Sequence, residues 1–333
     1  MTVHRLDHLV AMTDQRGLFE HAEHGMPRHE HGYCTDDNAR LLAITSAMSG
    51  EPGAHELSAT ALRFVLAAQA SDGRTHNRMD VFGNWTDEPT TDDSWGRSLW
   101  GLGHAAALHP DPSMRTAALD GFDHGAAQRS RWPRSMAFAA IGAAAILQEH
   151  PEHRSARSLL EDASDMIGAP TVGADWQWPE PQLRYANAVL AEAKIAAGVL
   201  LERPIEVTQG TTMLEWLLSV EQRDGHLSVT GTRGRFRGEE GPQFDQQPIE
   251  VAAIADACWR AHVATGDRRW ADGITIAAAW FAGDNDAGLA MFDPSTQGGY
   301  DGLSARSVNL NQGAESTLAY IATMHRAEQL AMA

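Results

Sequence analysis

The feature that most constrains this chain is a sixfold alternation between two kinds of helical segment. Six segments are small and apolar nearly all round, starting at Asp37, Ser94, Arg134, Tyr185, Glu250 and Glu315. Examples are Asp37-Asn-Ala-Arg-Leu-Leu-Ala-Ile-Thr and Arg134-Ser-Met-Ala-Phe-Ala-Ala-Ile. Helices of that composition are buried on both sides. Between them lie segments with apolar residues at helical spacing and one charged face, near residues 2–14, 54–70, 112–127, 153–167, 209–222 and 267–282. Alanine is abundant and runs of Val or Ile are rare, which favours helix because Ala gives up no side-chain entropy there. The apolar segments start roughly 40 to 65 residues apart, a supersecondary-repeat period.

Six helices of each kind in strict order make six antiparallel hairpins. Wrapped into a ring, they put the apolar set inside and the amphipathic set outside. The expected fold is therefore all-α, an (α/α)6 toroid, with residues 1–333 as a single domain. An open solenoid would show the same pattern. The uneven repeat lengths and the polar decoration of the inner-helix starts favour closure. Closed architectures run undivided at this chain length. Two outer helices end on Asp72-Gly73 and Asp224-Gly225, a pairing that stops helices or forms tight turns. Pro and Gly concentrate at 83–93, 169–182, 231–248 and 283–313, always ahead of an inner helix. These loops should crowd one rim, where sites are usually built.

Charge narrows the partners. The net charge is −18, and no Lys/Arg cluster could displace counterions from nucleic acid or meet an anionic membrane surface. Arg233-Gly-Arg235-Phe-Arg237 comes nearest, but Glu239 and Glu240 follow at once. A neutral, hydroxyl-rich ligand suits the acidic excess. Cys34 and Cys258 make no disulfide framework and no CxxC metal motif. The N-terminal residues lack an apolar h-region, and no apolar run reaches roughly 18 residues. A cytoplasmic protein is expected.

Acidic residues recur at the inner-helix starts. Asp36 and Asp37 open the first, Asp92 and Asp93 the second, Glu250 the fifth and Glu315 the sixth, while Glu180 precedes the fourth. A Thr-Asp-Asp triplet occurs twice, at 35–37 and 91–93. Helix capping would use one acceptor per helix, so the pairs exceed that need. Carboxylates converging on one cavity repel, which raises some pKa values and leaves others low, and one site then holds both an acid and a base. Glycoside cleavage needs such a pair. Trp95, Trp176, Trp178 and Tyr185 lie in or beside the same loops and helix starts, and aromatic rings can stack on sugar faces. Arg97, Asn187, Gln247 and Asn311 add hydroxyl-binding groups. The His-rich stretch from His21 to His31 lacks an HExxH spacing and reads as a rim loop, with no metal expected.

Several blocks carry a family resemblance: 31–42 (HGYCTDDNARLL), 90–103 (TTDDSWGRSLWGLG), 175–193 (DWQWPEPQLRYANAVLAEA), 242–258 (PQFDQQPIEVAAIADAC), and YDGL at 300–303 followed by 308–321. They look like a bacterial group of (α/α)6-barrel proteins related to six-hairpin glycosidases, often labelled glycosidase-like or glycosyltransferase-associated. The resemblance implies a sugar-active toroid and makes Asp36, Asp37, Asp92, Asp93, Arg97, Glu180, Tyr185, Asn187, Glu250 and Glu315 site candidates. One departure is Pro179, where an aromatic residue would be expected before the acid.

The expected function is a glycoside hydrolase acting on a short oligosaccharide or glycoside, without a cofactor. Glu180 or Glu250 would be the general acid, and Asp92 or Asp93 the base or nucleophile. Asp36 and Asp37 would hold sugar hydroxyls, with Trp95, Arg97, Trp176, Trp178, Tyr185, Asn187, Gln247, Asn311 and Glu315 in substrate contact. The alternatives are a sugar epimerase or isomerase, with His31 and His104 as conceivable acid and base, and a non-catalytic sugar-binding or scaffold protein.

Overall fold

A computed structural model describes residues 4–171 and 175–332. Among these the chain forms twelve α-helices joined by loops and short two-stranded ribbons. It divides into two compact units, Met1–Met166 and Ile167–Ala333.

The first unit carries α1 (Asp7–Ala11), α2 (Thr35–Ala47), α3 (Ala54–Ala68), α4 (Asp93–Leu108), α5 (Pro112–Gly125), α6 (Pro133–Glu149) and α7 (Arg154–Ile167). The two expected classes are plain here. In α6 every residue from Arg134 to Leu147 is buried, whereas α7 alternates buried and open positions at helical spacing. The helix expected over 2–14 is only five residues long, and its first two positions lie outside the described residues. It stops because the Asp14 carboxylate accepts the N–H groups of Arg16 and Gly17, turning the chain so that Thr13 bridges Leu18.

The second unit carries α8 (Ala188–Leu200), α9 (Pro204–Glu221), α10 (Pro248–Thr265), α11 (Arg268–Ala282) and α12 (Ala314–Met332). In α8 Ala188–Gly198 is buried without a break. The fourth inner helix begins three residues later than its Tyr185 start in sequence, because residues 184–187 form a turn with Ala186 at φ 45°. Asp224-Gly225 closes a ribbon of Gln222–Arg223 with His226–Leu227, as its turn chemistry predicts. In the loop expected at 169–182, residues 172–174 lie outside the described ones.

Two of the outer helices are capped by aspartate. Asp111 accepts the Ser113 N–H at 2.8 Å for α5, and Asp267 accepts the Arg269 N–H at 3.0 Å for α11, whereas α3 and α9 have no side-chain cap. The starts of α2, α4, α8 and α10 have no side-chain cap. The acids at the starts of α2, α4 and α10 are therefore not consumed as caps.

Close approach of α4 to α2 and α6 brings those starts together. A Cβ on Gly103 would stand 2.3 Å from the Gly142 carbonyl oxygen, and one on Gly101 would stand 2.5 Å from that of Ala39. Both contacts are to backbone, which cannot rotate away. Gly103→Ala is accordingly expected to cost about 2 kcal/mol through overpacking. A drop in the urea midpoint at unchanged slope would register it, and an unchanged midpoint would contradict the close contact.

Candidate active site

In the first unit the starts of α2, α4 and α6 build a cluster of carboxylates and guanidiniums. Asp36 is half-buried. Its Oδ1 lies 3.5 Å from Nε of the buried Arg97 without a hydrogen bond, and its Oδ2 accepts the Asn77 side-chain amide at 3.1 Å. Burial raises the Asp36 carboxyl above its ordinary value; Arg97 and Arg40 oppose the rise, Asp93 adds to it, and the Asn77 bond opposes it. Asp93 is half-buried and accepts the Ser135 hydroxyl at 2.8 Å. Asp92 is exposed, and its Oδ1 accepts the Trp132 indole N–H at 2.9 Å. Trp132 is itself 47% exposed, with the Arg131 guanidinium 4.6 Å from its ring centre. Arg97 lies 4.0 Å over the Phe138 ring, which fixes its fork beside Asp36.

In the second unit a pocket of about 380 Å³ opens over the starts of α8 and α10. Glu250, 3% exposed, stands in its wall. One oxygen accepts the Ala186 N–H, and the other accepts the Asn187 backbone and side-chain N–H groups at 3.2 and 3.0 Å. Asn187 in turn accepts the Arg184 N–H at 2.8 Å. Glu250 thus clamps the turn that presents Arg184 and Tyr185 to the pocket. Gln247 lines it from the other side.

The structure brings Asp36, Arg97, Asp92 and Asp93 together, and separately Tyr185, Gln247 and Glu250. Five roles change. Trp95 is fully buried and donates to the Gly125 carbonyl at 3.0 Å, so it packs α4 on α5 and cannot meet a substrate. Asp37 is buried against Arg40, which satisfies it internally. Asn187 is fully buried, with both ends of its amide used in the clamp. Trp178 is buried and stacks on Trp216 at 5.9 Å between centroids. Glu250 is occupied as an acceptor by three N–H groups, a geometry for holding a turn rather than for giving up a proton. Glu180 is half-buried; its carbonyl accepts the Trp176 indole N–H at 2.7 Å. Trp176 packs edge-on to Trp216. Asn311 and Glu315 are half-buried at the start of α12 and do not line the pocket.

Ser135 and Asn77 enter the cluster without having been singled out as site residues. Ser135 sits beside Arg134 at an inner-helix start, a position that could have flagged it. Asn77 gives no such signal, because its partner lies 41 residues away.

Among the described residues one group could bring metal ligands together: Glu20, Cys34 and Asp37, with ligand atoms within 4.8 Å. Arg78 already pairs with Glu20 and Arg40 with Asp37. Burial and the nearby carboxylates hold the Cys34 thiol far above its ordinary pKa, so the thiolate a metal needs is disfavoured. His21 and His31 pack edge-on at 5.0 Å in the His-rich loop.

A second buried acid lies along the inner helices of the second unit. Glu192 of α8 faces Arg260 of α10 at 3.6 Å, while Asp256 of α10 accepts from Arg326 of α12 at 2.6 Å. Burial raises the Glu192 carboxyl from 4.5 to about 7, with Arg260 and Arg326 opposing and Asp256 adding. A folded-state value above the unfolded one stabilises fully below about pH 4.5, and that contribution is lost as pH rises through about 7. The shift corresponds to about 3 kcal/mol. Glu192→Gln is expected to remove this decline. A wild-type-minus-variant stability difference that stays flat across the window would contradict it.

No family model matches the chain, and no curated protein matches it. Solved structures do. A sugar epimerase from a ruminal bacterium is 9% identical, with a TM-score of 0.73 over 98% of this chain and 96% of its own. A cellobiose 2-epimerase from Bacillus thermoamylovorans is 10% identical, with a TM-score of 0.72 over 99% and 96%. An α-1,6-mannanase from Salegentibacter sp. is 10% identical, with a TM-score of 0.67 over 98% and 97%. A variant of that mannanase with two consecutive aspartates changed to asparagine is described as inactive and is bound to α-1,6-mannotriose. At these identities the likeness is one of fold, and the chain has the (α/α)6-barrel fold. No described helix is long and apolar enough to cross a membrane.

Proposed function

We propose that the chain is a carbohydrate-active enzyme, and within that class a glycoside hydrolase working through Asp36 and Asp93. The observation that carries this is Asp36: a carboxyl pushed up by burial, at an inner-helix start, with Asp93 of the next inner helix adding to the rise. An acid and a base held side by side are what glycoside cleavage needs. Asp36 would hold the proton for the leaving oxygen. Asp93, oriented by the Ser135 hydroxyl that it accepts, would serve as base or nucleophile. Trp132, exposed beside Asp92, offers an aromatic face for a sugar ring. The mannanase lends support to Asp93, since its inactive variants change a consecutive aspartate pair and Asp92-Asp93 is such a pair.

A second reading, sugar epimerisation or isomerisation, is favoured by the epimerase and isomerase neighbours. His104, half-buried on α4 against Trp100, is the residue it would use. We propose too that residues 1–333 act as one domain and that the protein works in the cytoplasm, a location its two buried free cysteines suit.

The test is a screen of oligosaccharides, α-1,6-linked mannosides included, with products weighed by mass spectrometry. Products heavier by one water support hydrolysis. Products of unchanged mass would move the assignment to epimerisation, and sugar binding without any product would sink both enzymatic readings.

A further inference from the structure

We propose that the pocket over the starts of α8 and α10 binds the anionic group of an acidic saccharide, a uronate carboxylate or a phosphate ester. This rests on the carbohydrate reading and narrows its substrate class. The pocket, at about 380 Å³, has room for a sugar unit. Two arginines line it, Arg184 and Arg233, and among the described residues neither guanidinium has a carboxylate partner. In a chain with 44 acidic and 26 basic residues, two unpaired guanidiniums on one pocket reverse the charge locally. The guanidinium fork matches a carboxylate or phosphate edge with two parallel hydrogen bonds.

Both arginines stand on fixed backbone. Arg233 rides the turn Gly231–Gly234, closed by the Gly234 N–H to the Gly231 carbonyl at 2.8 Å. Its own carbonyl accepts from the Gln182 side chain at 3.0 Å. Gly234, at φ 74°, packs so close to the Gln182–Leu183 ribbon that a Cβ would stand 2.4 Å from the Leu183 oxygen. Arg184 is held through Asn187 by Glu250. The Glu250 charge opposes an anion, but three N–H groups already face it. Tyr185, Thr232 and Gln247 supply donors and acceptors for the sugar hydroxyls. The pocket is thereby suited to an anion carried on a polyhydroxylated ring.

The experiment titrates glucuronate, glucose phosphate, inorganic phosphate and glucose into the full-length Asp93→Asn protein by calorimetry, then repeats this with Arg184→Gln and Arg233→Gln added. The expected result is that one of the two acidic sugars binds at least about tenfold tighter than glucose or inorganic phosphate. That preference should weaken with added salt and vanish in the arginine variant. Preference for glucuronate assigns a carboxylate, and preference for glucose phosphate assigns a phosphate ester. Equal affinity for charged and neutral sugars, equal affinity for inorganic phosphate, or binding untouched by the arginine changes would overturn the proposal. Hydrolysis of neutral glycosides with no acidic preference would overturn it while leaving the hydrolase reading intact. Acidic-sugar binding with no turnover in the wild type would do the reverse.

Discussion

Asp93→Asn is expected to lower glycoside turnover about a thousandfold while leaving the fold intact, a loss within the range typical of removing a positioned acid or base. Asparagine keeps the shape of the side chain and an oxygen for the Ser135 hydroxyl, which now bonds Asp93 at 2.8 Å. Asp93 does not cap α4, so no free helix amide loses its partner. Stability should therefore stay within about 0.5 kcal/mol of wild type. The charge is what disappears, and with it the ability to take a proton or attack the anomeric carbon. Asp36 supplies the complementary signature. Burial raises its pKa and the reaction needs it protonated, so activity should fall as pH rises through that raised value. In Asp36→Asn this alkaline limb should be absent from a greatly reduced profile. Steady-state kinetics across pH check both points, and full turnover by Asp93→Asn would remove this residue from the chemistry.

Glu250→Ala is expected to destabilise the protein by about 3 kcal/mol or more. Its carboxylate is the acceptor for the Ala186 N–H and for both Asn187 N–H groups, all buried. Each buried donor left without a partner costs about 1–3 kcal/mol. Ala186 adds to the demand, because a non-glycine residue at φ 45° stays there only if its neighbours hold it. Glu250→Gln retains one good acceptor oxygen and should lose less. Urea unfolding of the two variants measures the difference. An alanine variant within about 0.5 kcal/mol of wild type would show that the turn is held by something else.

Much of the fold was legible because burial on every face leaves a compositional mark. The small apolar runs at 134–147 and 188–198 are buried without a break, and their places in the chain followed from residue type alone. Direction was less legible than type. Trp95 and Asp93 lie two residues apart near one helix start, yet the indole turns into the core and the carboxylate toward Ser135. Asn187 reads as a substrate contact and Glu250 as a general acid, because polar and acidic groups near loops often are. In the folded chain they satisfy each other, a pairing across 63 residues that local spacing cannot reveal. The basic cluster at 233–237 was discounted because Glu239 and Glu240 follow it. The Glu239 carboxylate in fact accepts the Phe236 N–H and the Gln243 amide, which leaves Arg233 to the pocket. Adjacency in sequence was a poor guide to charge neutralisation there.

The most direct measurement is to run the reaction in water enriched in heavy oxygen and follow the label by mass spectrometry. Hydrolysis through Asp36 and Asp93 should place one solvent oxygen in the newly freed sugar, and Asp93→Asn should abolish the incorporation. Saccharide turnover that yields a product of unchanged mass, carrying no solvent oxygen from bond cleavage, would contradict the hydrolase and leave an epimerase or isomerase on this fold.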